Sequence, residues 1–272
     1  MSAAELALPS AGPDPIPFDT ALAAVLGYAR GRRPIHFRAP NDTLGRWVEM
    51  PAFGYERFDR RPRTDGPLGE PDILTAEGLH GRLDPAAWTA MKRVLGEVQP
   101  ILDAAVDRAG GRPFHELPDD EFSVLAEPGT VGSHLRHAWQ HCEVAPDVSP
   151  KHVVAALHHR RPDLFPLVVR TTRWHLLPHV REGDSGVDAV VHREVRANAE
   201  AFEALEQAAA DDGVAMTRLR LHDVLLWLSA GLRLTHAVAL GQDGGVQPGS
   251  RPVSPSSRSN IGASSDTGTR GP

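Results

Sequence analysis

The segment RLRLHDVLLWLSAGLRL, residues 218–234, constrains the fold of this chain more than any other part of it. It follows Thr217, a residue type that caps the start of helices, and its apolar residues cover most of the circumference of a helix. Other helices must enclose such a surface to keep it from water. The segment is shorter than a membrane-spanning run, so we expect a central core helix within a helical body.

Further segments carry the start and stop signals of helices. In each, apolar residues at helical spacing follow a capping residue or a proline, and a glycine or proline ends the pattern. The predicted helices run from Asp19 to Gly31, from Asp84 to Gly110 with a kink or break at Pro100, from Ser133 to Cys142, from Ser149 to a stop near Pro162, and from Asp188 to Asp212. A mainly α-helical fold follows, without the strand–helix alternation of doubly wound proteins.

Proline and glycine set the expected boundaries of the folded part. Residues 1–17 hold four prolines and no apolar period, which predicts a flexible arm, and residues 241–272 have almost nothing to bury, which predicts a disordered tail. Residues 18–240 should form a single helical domain, because an apolar content of 41% supplies a core. Within it, residues 33–71 are rich in Pro and Gly and predict irregular structure or a short hairpin.

Charge and cysteine content narrow the class of protein. The formal net charge of −6 at pH 7 argues against a protein that coats nucleic acid through its overall charge, so a basic site must be local. A single cysteine, Cys142, excludes an internal disulfide. With no apolar run of membrane length and no basic segment before an apolar one near residue 1, we expect a cytoplasmic protein without a membrane partner.

Fourteen histidines are the most conspicuous reactive side chains. His134, His137 and His141 share an arc of roughly 60° on one predicted helix and are candidate ligands for a divalent metal. The same arc flanks an apolar face that contains Leu135 and Trp139, where exposed residues ordinarily lie. No phosphate loop, nucleophile elbow, dinucleotide fingerprint or zinc-protease motif accompanies them. We therefore assign no catalytic residue and no other cofactor, and keep a histidine-dependent metalloprotein or small-molecule enzyme as the alternative function.

Positive charge concentrates between residues 151 and 182 of this otherwise acidic chain. Such a local patch indicates either an ordinary solvated face or a surface that contacts phosphate. Our leading interpretation is a non-catalytic binding protein whose basic face contacts DNA or another phosphate-bearing ligand. The residues assigned to this face are Lys151, Arg160, Arg161, Arg170 and Arg173.

The segment VSPKHVVAALHHRRPDLFPLVV, residues 148–169, resembles the core of an uncharacterised, mostly actinobacterial family catalogued as a domain of unknown function. The resemblance extends to FGYERFD at 53–59, to DILTAEGL at 72–79 and to RLRLHDVLLWL at 218–228. The core of that family is itself similar to the helix-hairpin-helix of base-excision DNA glycosylases. There, backbone amides of the hairpin hold a phosphate, and a later aspartate drives the chemistry.

The chain departs from the family at the positions that would carry this activity. Asp147-Val148-Ser149 replaces the Gly-Val-Gly of the hairpin, which puts a carboxylate where the phosphate would approach. Val169 stands where the resemblance would place the aspartate. The resemblance therefore implies a degenerate helix-hairpin-helix segment, suited to binding or to architecture rather than to glycosylase chemistry.

Overall fold

The computed structural model describes residues 5–40, 44–144 and 147–243. In this part the chain is mainly α-helical, as predicted, with two small antiparallel strand pairs. The elements are β1 (Glu5–Leu6), β2 (Ile16–Pro17), α1 (Phe18–Arg30), β3 (Arg32–Phe37), β4 (Arg46–Pro51), α2 (Glu70–His80), α3 (Pro85–Ala109), α4 (Val131–Val144), α5 (Pro150–Arg160), α6 (Arg170–Leu176), α7 (Val187–Ala197), α8 (Ala199–Asp211), α9 (Arg218–Ala230) and α10 (Leu234–Asp243).

Helix α9 is the predicted core helix. Leu221, Leu225 and Leu228 on it are fully buried, and helices α1, α6, α7, α8 and α10 pack around it. Thr217 caps its start, with the side-chain oxygen accepting a hydrogen bond from the backbone N–H of Arg220 at 3.2 Å. The enclosure explains why a helix with apolar residues on all sides is stable here.

Local capping signals locate several helix ends correctly. Asp84 accepts a hydrogen bond from the backbone N–H of Ala87 at 2.8 Å, and Gly110 closes α3 in the left-handed conformation, with φ of 61°.

The break expected at Pro100 is absent, because buried residues on both sides of it hold α3 as one helix. Ser133 does not start α4, which begins at Val131.

The single helix predicted from Asp188 to Asp212 is wrong, because two helices, α7 and α8, meet at Asn198. The Asn198 side chain accepts a hydrogen bond from the backbone N–H of Ala7 at 2.8 Å and donates one to the carbonyl of the same residue at 2.9 Å. This pairing mimics one step of a strand ladder and fixes Asn198 outside helical geometry.

The flexible arm predicted over residues 1–17 is corrected from residue 5 onward; residues 1–4 lie outside the described part. Strands β1 and β2 pair, and Leu6 and Leu8 are buried to 0% and 2% exposure. Ser10 donates hydrogen bonds to the Glu194 carboxylate from its backbone N–H at 2.8 Å and from its hydroxyl at 2.6 Å. The four prolines led to the prediction of a flexible arm. Leu6 and Leu8, two residues apart, point to the same side of an extended chain and insert into the core.

Helix α10 crosses the predicted domain boundary at residue 240 and packs along α1. Glycines make this close approach feasible: a Cβ atom on Gly27 would overlap the carbonyl oxygen of Ala237, and one on Gly241 would overlap that of Ala23. The disordered tail expected from residue 241 lies outside the described residues after residue 243. No single described helix is long and apolar enough to cross a membrane, although α9 and α10, bent by 115° at their junction, pass that test as a pair.

Strands β3 and β4 form the short hairpin that was one of the two expectations for residues 33–71. Their register pairs Arg33 with Met50, Ile35 with Val48 and Phe37 with Arg46. All six residues of β3 are exposed. We call this two-stranded ribbon, residues 32–37 and 46–51, the β-arm.

Candidate functional site

A cleft of about 490 Å³ opens between α1, the segment after β4, the end of α2, α9 and the start of α10. Residues of β3 and of the segment before α6 also line it, so seven separate parts of the chain build the cleft, and aromatic and basic side chains dominate its lining. We call it the arginine–aromatic cleft. The residues that characterise it are Tyr28, Arg33, Phe53, Arg57, His80, Arg220, Trp227, Arg233 and His236.

An aromatic cluster forms one wall of the cleft. The rings of Tyr28 and Phe53 stack with centroids 5.6 Å apart, and Trp227 meets both rings edge-on at 6.3 and 6.0 Å. His236 meets the Phe53 ring at 6.2 Å. Trp227 is only partly buried, so part of its ring surface remains available to a ligand.

A buried ion pair supports this wall from below. The Arg220 Nε–H donates to Asp59 at 2.6 Å, its Nη2–H donates to the Tyr28 hydroxyl at 2.9 Å, and that hydroxyl donates to Asp59 at 2.8 Å. Burial raises the pKa of Tyr28, and the neighbouring Asp59 carboxylate raises it further. The three groups are therefore mutually satisfied, and they fix the ring of Tyr28 rather than attract a ligand.

Three further guanidinium groups line the cleft without a carboxylate partner in the described part of the chain. Arg33 at the start of β3 and Arg57 after β4 are exposed, and neither forms an ion pair or a side-chain hydrogen bond there. The Arg233 guanidinium lies 4.9 Å over the Trp227 ring, a cation–π contact that leaves its N–H groups free of an acid. Asp223, the acidic residue that lines the cleft, accepts a hydrogen bond from the backbone N–H of Leu167 at 2.9 Å.

His80 adds a neutral polar group to the cleft. Burial, helped by the nearby His152 and Lys151, lowers the pKa of His80 to about 3. Its Nε2 atom is buried and makes no hydrogen bond within the described residues. A buried ring nitrogen without a partner is costly to the folded state.

These groups together favour an anion attached to a flat or apolar group. Guanidinium groups bind phosphate or carboxylate oxygens through paired N–H donors, and aromatic surfaces take up ring systems. Two other depressions lack this combination. A groove of about 630 Å³ between residues 7–15 and α6 has no Arg or Lys in its lining. A pocket of about 230 Å³ between α4 and α7 contains the acidic Asp188 beside Arg136 and Arg173.

The predicted basic face is spread over several environments. Arg160 is committed to the structure: its guanidinium bonds both carboxylate oxygens of Asp72 at 2.7–2.9 Å and also bonds the carbonyl of Gly66. Arg173 stacks 5.3 Å from the Trp139 ring in the smaller pocket. Lys151, Arg161 and Arg170 are exposed. Nucleic-acid binding by these five residues stays a prediction, with Arg160 the least accessible of them.

The histidine arc lies on α4, as predicted, but the structure does not gather its members into a ligand set. His141 accepts or donates a hydrogen bond with Glu97 of α3 at 2.7 Å, while His137 is exposed. Burial lowers the pKa of His134. No group of three or more His, Cys, Asp or Glu side chains within the described ranges is arranged to hold a metal ion. The metal alternative stays a prediction.

The turn before α5 keeps a backbone conformation that glycine adopts most easily. Asp147 has φ of 62°, in the left-handed region, at a position where the resemblance implies glycine. Ser149 precedes Pro150 at the start of α5 but makes no side-chain capping bond. Helix α4 precedes this position in the sequence and α5 follows it, and the helix-hairpin-helix resemblance stays a prediction.

Sequence reasoning missed most of the cleft because its residues come from distant segments. The apolar pattern of residues 218–234 predicts a buried helix and no ligand site at Trp227, and Arg33, Arg57 and Arg233 stand in no motif. One signal was present: the segments 53–59, 72–79 and 218–228, to which the family resemblance extends, all contribute to the cleft lining.

The comparisons with known proteins agree with this resemblance at the level of the family. The model of a family of unknown function (DUF6308) matches residues 42–230, which is more than half of the chain. No curated protein and no solved structure matches the chain. The matched range begins before β4 and ends with α9, so it contains Phe53, Arg57, His80, Arg220 and Trp227 of the cleft. The chain therefore belongs to the family of unknown function DUF6308.

Proposed function

We propose that this protein is a non-catalytic binding protein that holds a phosphate-bearing ligand with a planar ring in the arginine–aromatic cleft. The observation that carries the proposal is the set of three guanidinium groups, on Arg33, Arg57 and Arg233, which surround an aromatic wall and have no carboxylate partner in the described structure. The proposed ligand remains DNA or another phosphate-bearing molecule, and the proposed binding site is now the cleft.

Electrostatics supports an anionic ligand at this place. The chain is acidic overall, with a formal charge of −6, and the cleft gathers three arginines that have no carboxylate partner among the described residues. An arginine matches the geometry of a phosphate through two parallel N–H donors. The partly exposed Trp227 ring, already in contact with Arg233, offers a surface on which a base can stack.

The cleft supports binding rather than catalysis. A general base needs a pKa near the working pH, and His80, with a pKa of about 3, would stay neutral and weakly basic. Asp223 is occupied by the backbone N–H of Leu167. The segment that resembles a degenerate helix-hairpin-helix, residues 148–169, is kept as a second, weaker contact for the same class of ligand, and the cytoplasmic location stays a prediction.

The proposal is tested by calorimetric titration with thymidine monophosphate, thymidine and inorganic phosphate at low and physiological salt. We expect thymidine monophosphate to bind more tightly than either fragment, and its affinity to fall as salt rises. Arg57→Ala and Arg233→Ala should each weaken binding about 10-fold or more, because a hydrogen bond to a charged group contributes roughly 1.5–3 kcal/mol.

Arg161→Ala and Arg170→Ala are matched controls, since both residues are exposed arginines of the predicted basic face and neither lines the cleft. They should leave the affinity unchanged. If these two variants weaken binding and the cleft variants do not, the basic face predicted from the sequence is the correct site. If thymidine monophosphate does not bind at low salt, the proposed function is wrong.

A further inference from the structure

The two faces of the β-arm differ in charge. Side chains alternate along each strand, so Arg33, Ile35 and Phe37 share one face of the arm, and their cross-strand partners Met50, Val48 and Arg46 lie on that same face. We call these six residues the cleft-side face, because Arg33 also lines the arginine–aromatic cleft.

The cleft-side face carries two cations and no acid. Neither Arg33 nor Arg46 forms an ion pair or a side-chain hydrogen bond with a described residue. On the opposite face, Arg32 pairs with Glu56 at 2.9 Å, and Glu49 adds a further carboxylate. Charge complementarity therefore directs an anion to the cleft-side face alone.

Three apolar side chains on the cleft-side face are exposed to solvent. Phe37 is 52% exposed, Met50 45% and Ile35 38%. Phe37 lies directly opposite Arg46, so an aromatic ring and a guanidinium group sit side by side near the end of the arm. Clustered exposed apolar side chains ordinarily mark a binding surface.

We infer that the cleft-side face extends the arginine–aromatic cleft into a track for single-stranded nucleic acid, with a base stacked on Phe37 and phosphates at Arg33 and Arg46. This inference rests on the proposed function, since it names the ligand class of the same site. From Arg33 to Phe37 the strand covers about 14 Å. At roughly 3.4 Å per nucleotide of a stacked strand, this length corresponds to about four nucleotides, so a mononucleotide fills the cleft but cannot reach the end of the arm.

A single strand fits this surface better than a duplex does. Bases of a single strand are free to stack on an aromatic ring, whereas those of a duplex are covered by their neighbours. The cations are few, which suits a contact of several phosphates rather than a large duplex footprint. Stacking makes little distinction among the four bases, so we expect weak sequence preference.

The experiment measures fluorescence anisotropy of labelled oligothymidylates of 4, 8 and 12 nucleotides on the whole chain, with thymidine monophosphate as competitor. Affinity should rise with length up to about 8 nucleotides, and the slope of log affinity against log salt should approach about −3, at about −0.7 for each phosphate contact. Phe37→Ala should weaken oligonucleotide binding at least fivefold, as loss of one stacked base does. Arg46→Ala should reduce the salt slope by about 0.7.

Variants of the opposite face are the matched controls. Trp47→Ala removes an aromatic ring that is 70% exposed, and Arg32→Ala removes an arginine of the same strand pair. Both should leave oligonucleotide binding unchanged, and Phe37→Ala should leave binding of thymidine monophosphate unchanged. Equal loss from the two faces would overturn the assignment of the track.

The remaining outcomes separate this inference from the proposed function. If thymidine monophosphate binds but oligonucleotides bind no more tightly, the cleft stands and the track is wrong. A duplex of the same length, or polyglutamate of equal charge, that binds as tightly as the single strand would overturn the ligand class. If neither the mononucleotide nor the oligonucleotides bind, both proposals fail.

Discussion

Arg160 and Arg161 are neighbours in sequence, and the fold gives them different roles. The side chain of Arg160 is 9% exposed and holds Asp72, which is 2% exposed, through two carboxylate contacts. Arg161 is exposed and has no side-chain partner in the described structure. Sequence reasoning assigned both to one basic face because residue type and spacing say nothing about a carboxylate 88 residues away.

Replacing each of these two arginines in turn separates the two roles. Arg160→Ala should lower the free energy of unfolding by about 3–5 kcal/mol, because it leaves the Asp72 carboxylate buried without a counter-ion. Arg161→Ala should change it by no more than about 0.5 kcal/mol. Urea denaturation at pH 7 measures both. Similar values for the two variants would contradict the described role of Arg160.

At the scale of secondary-structure elements, the packing of α1 against α10 is the contact most sensitive to side-chain size. Gly27→Ala should lower the free energy of unfolding by about 1–3 kcal/mol or more, because the new methyl group overlaps the carbonyl oxygen of Ala237. Since Arg233 immediately precedes α10 and His236 lies on it, the same change should also weaken ligand binding in the cleft.

Gly96→Ala provides the opposite expectation for the same substitution. Gly96 is exposed in α3, and a methyl group there meets nothing within 4 Å. The variant should be more stable by about 0.5–1 kcal/mol, because alanine favours the helix over the unfolded chain. Thermal unfolding followed by circular dichroism compares the two variants; a gain of stability in Gly27→Ala would show that α1 and α10 do not pack as described.

Elements whose ends depend on local chemistry were predictable, and those that depend on distant partners were not. Asp84, Gly110 and Thr217 act on backbone groups within a few residues, so their pattern in the sequence was sufficient. Asn198 interrupts a continuous helical pattern only because it bonds Ala7, which lies 191 residues earlier. The cleft follows the same rule, since Tyr28, Phe53 and Trp227 meet only when the fold is complete.

At the scale of the whole molecule, buried histidines should make stability depend on pH in both directions. Burial lowers the pKa of His158 to about 4, and that of His80 to about 3. Burial alone would also lower the pKa of His222, but the neighbouring carboxylates of Asp223 and Glu194 raise it to about 9. Two of these histidines are therefore neutral in the folded chain at pH 7, and the third is charged.

The direction of each pH dependence follows from which state, the folded or the unfolded chain, binds more protons. Below pH 6.5 the unfolded chain binds more protons at His80 and His158, so stability falls as pH decreases toward 4 and 3. Between pH 6.5 and 9 the folded chain binds more at His222, so stability falls as pH rises, by about 1.4 kcal/mol per pH unit for one proton. Burial raises the pKa of Asp188 to about 6. Below that pH the folded chain binds more protons at Asp188, which offsets the proton uptake of one histidine in the unfolded chain.

We therefore expect a stability maximum near pH 6.5 in urea denaturation measured from pH 5 to 9. His222→Gln should lower stability at pH 7, because Glu194 loses its cationic partner at 2.8 Å, and it should abolish the decline between pH 6.5 and 9. A wild-type chain whose stability is flat over that range would show that His222 is not charged in the folded state.

The pairing of α1 with α10 also bears on how the chain folds while it is being synthesised. About 200 residues separate the two helices, which at 5–20 residues per second means roughly 10–40 s on the ribosome between their appearance. Throughout that interval the face of α1 around Ala23 and Gly27 awaits its α10 partner, and for most of it β1 also awaits α8. Nascent chains of this protein should consequently be clients of ribosome-associated chaperones until α10 has emerged from the exit tunnel.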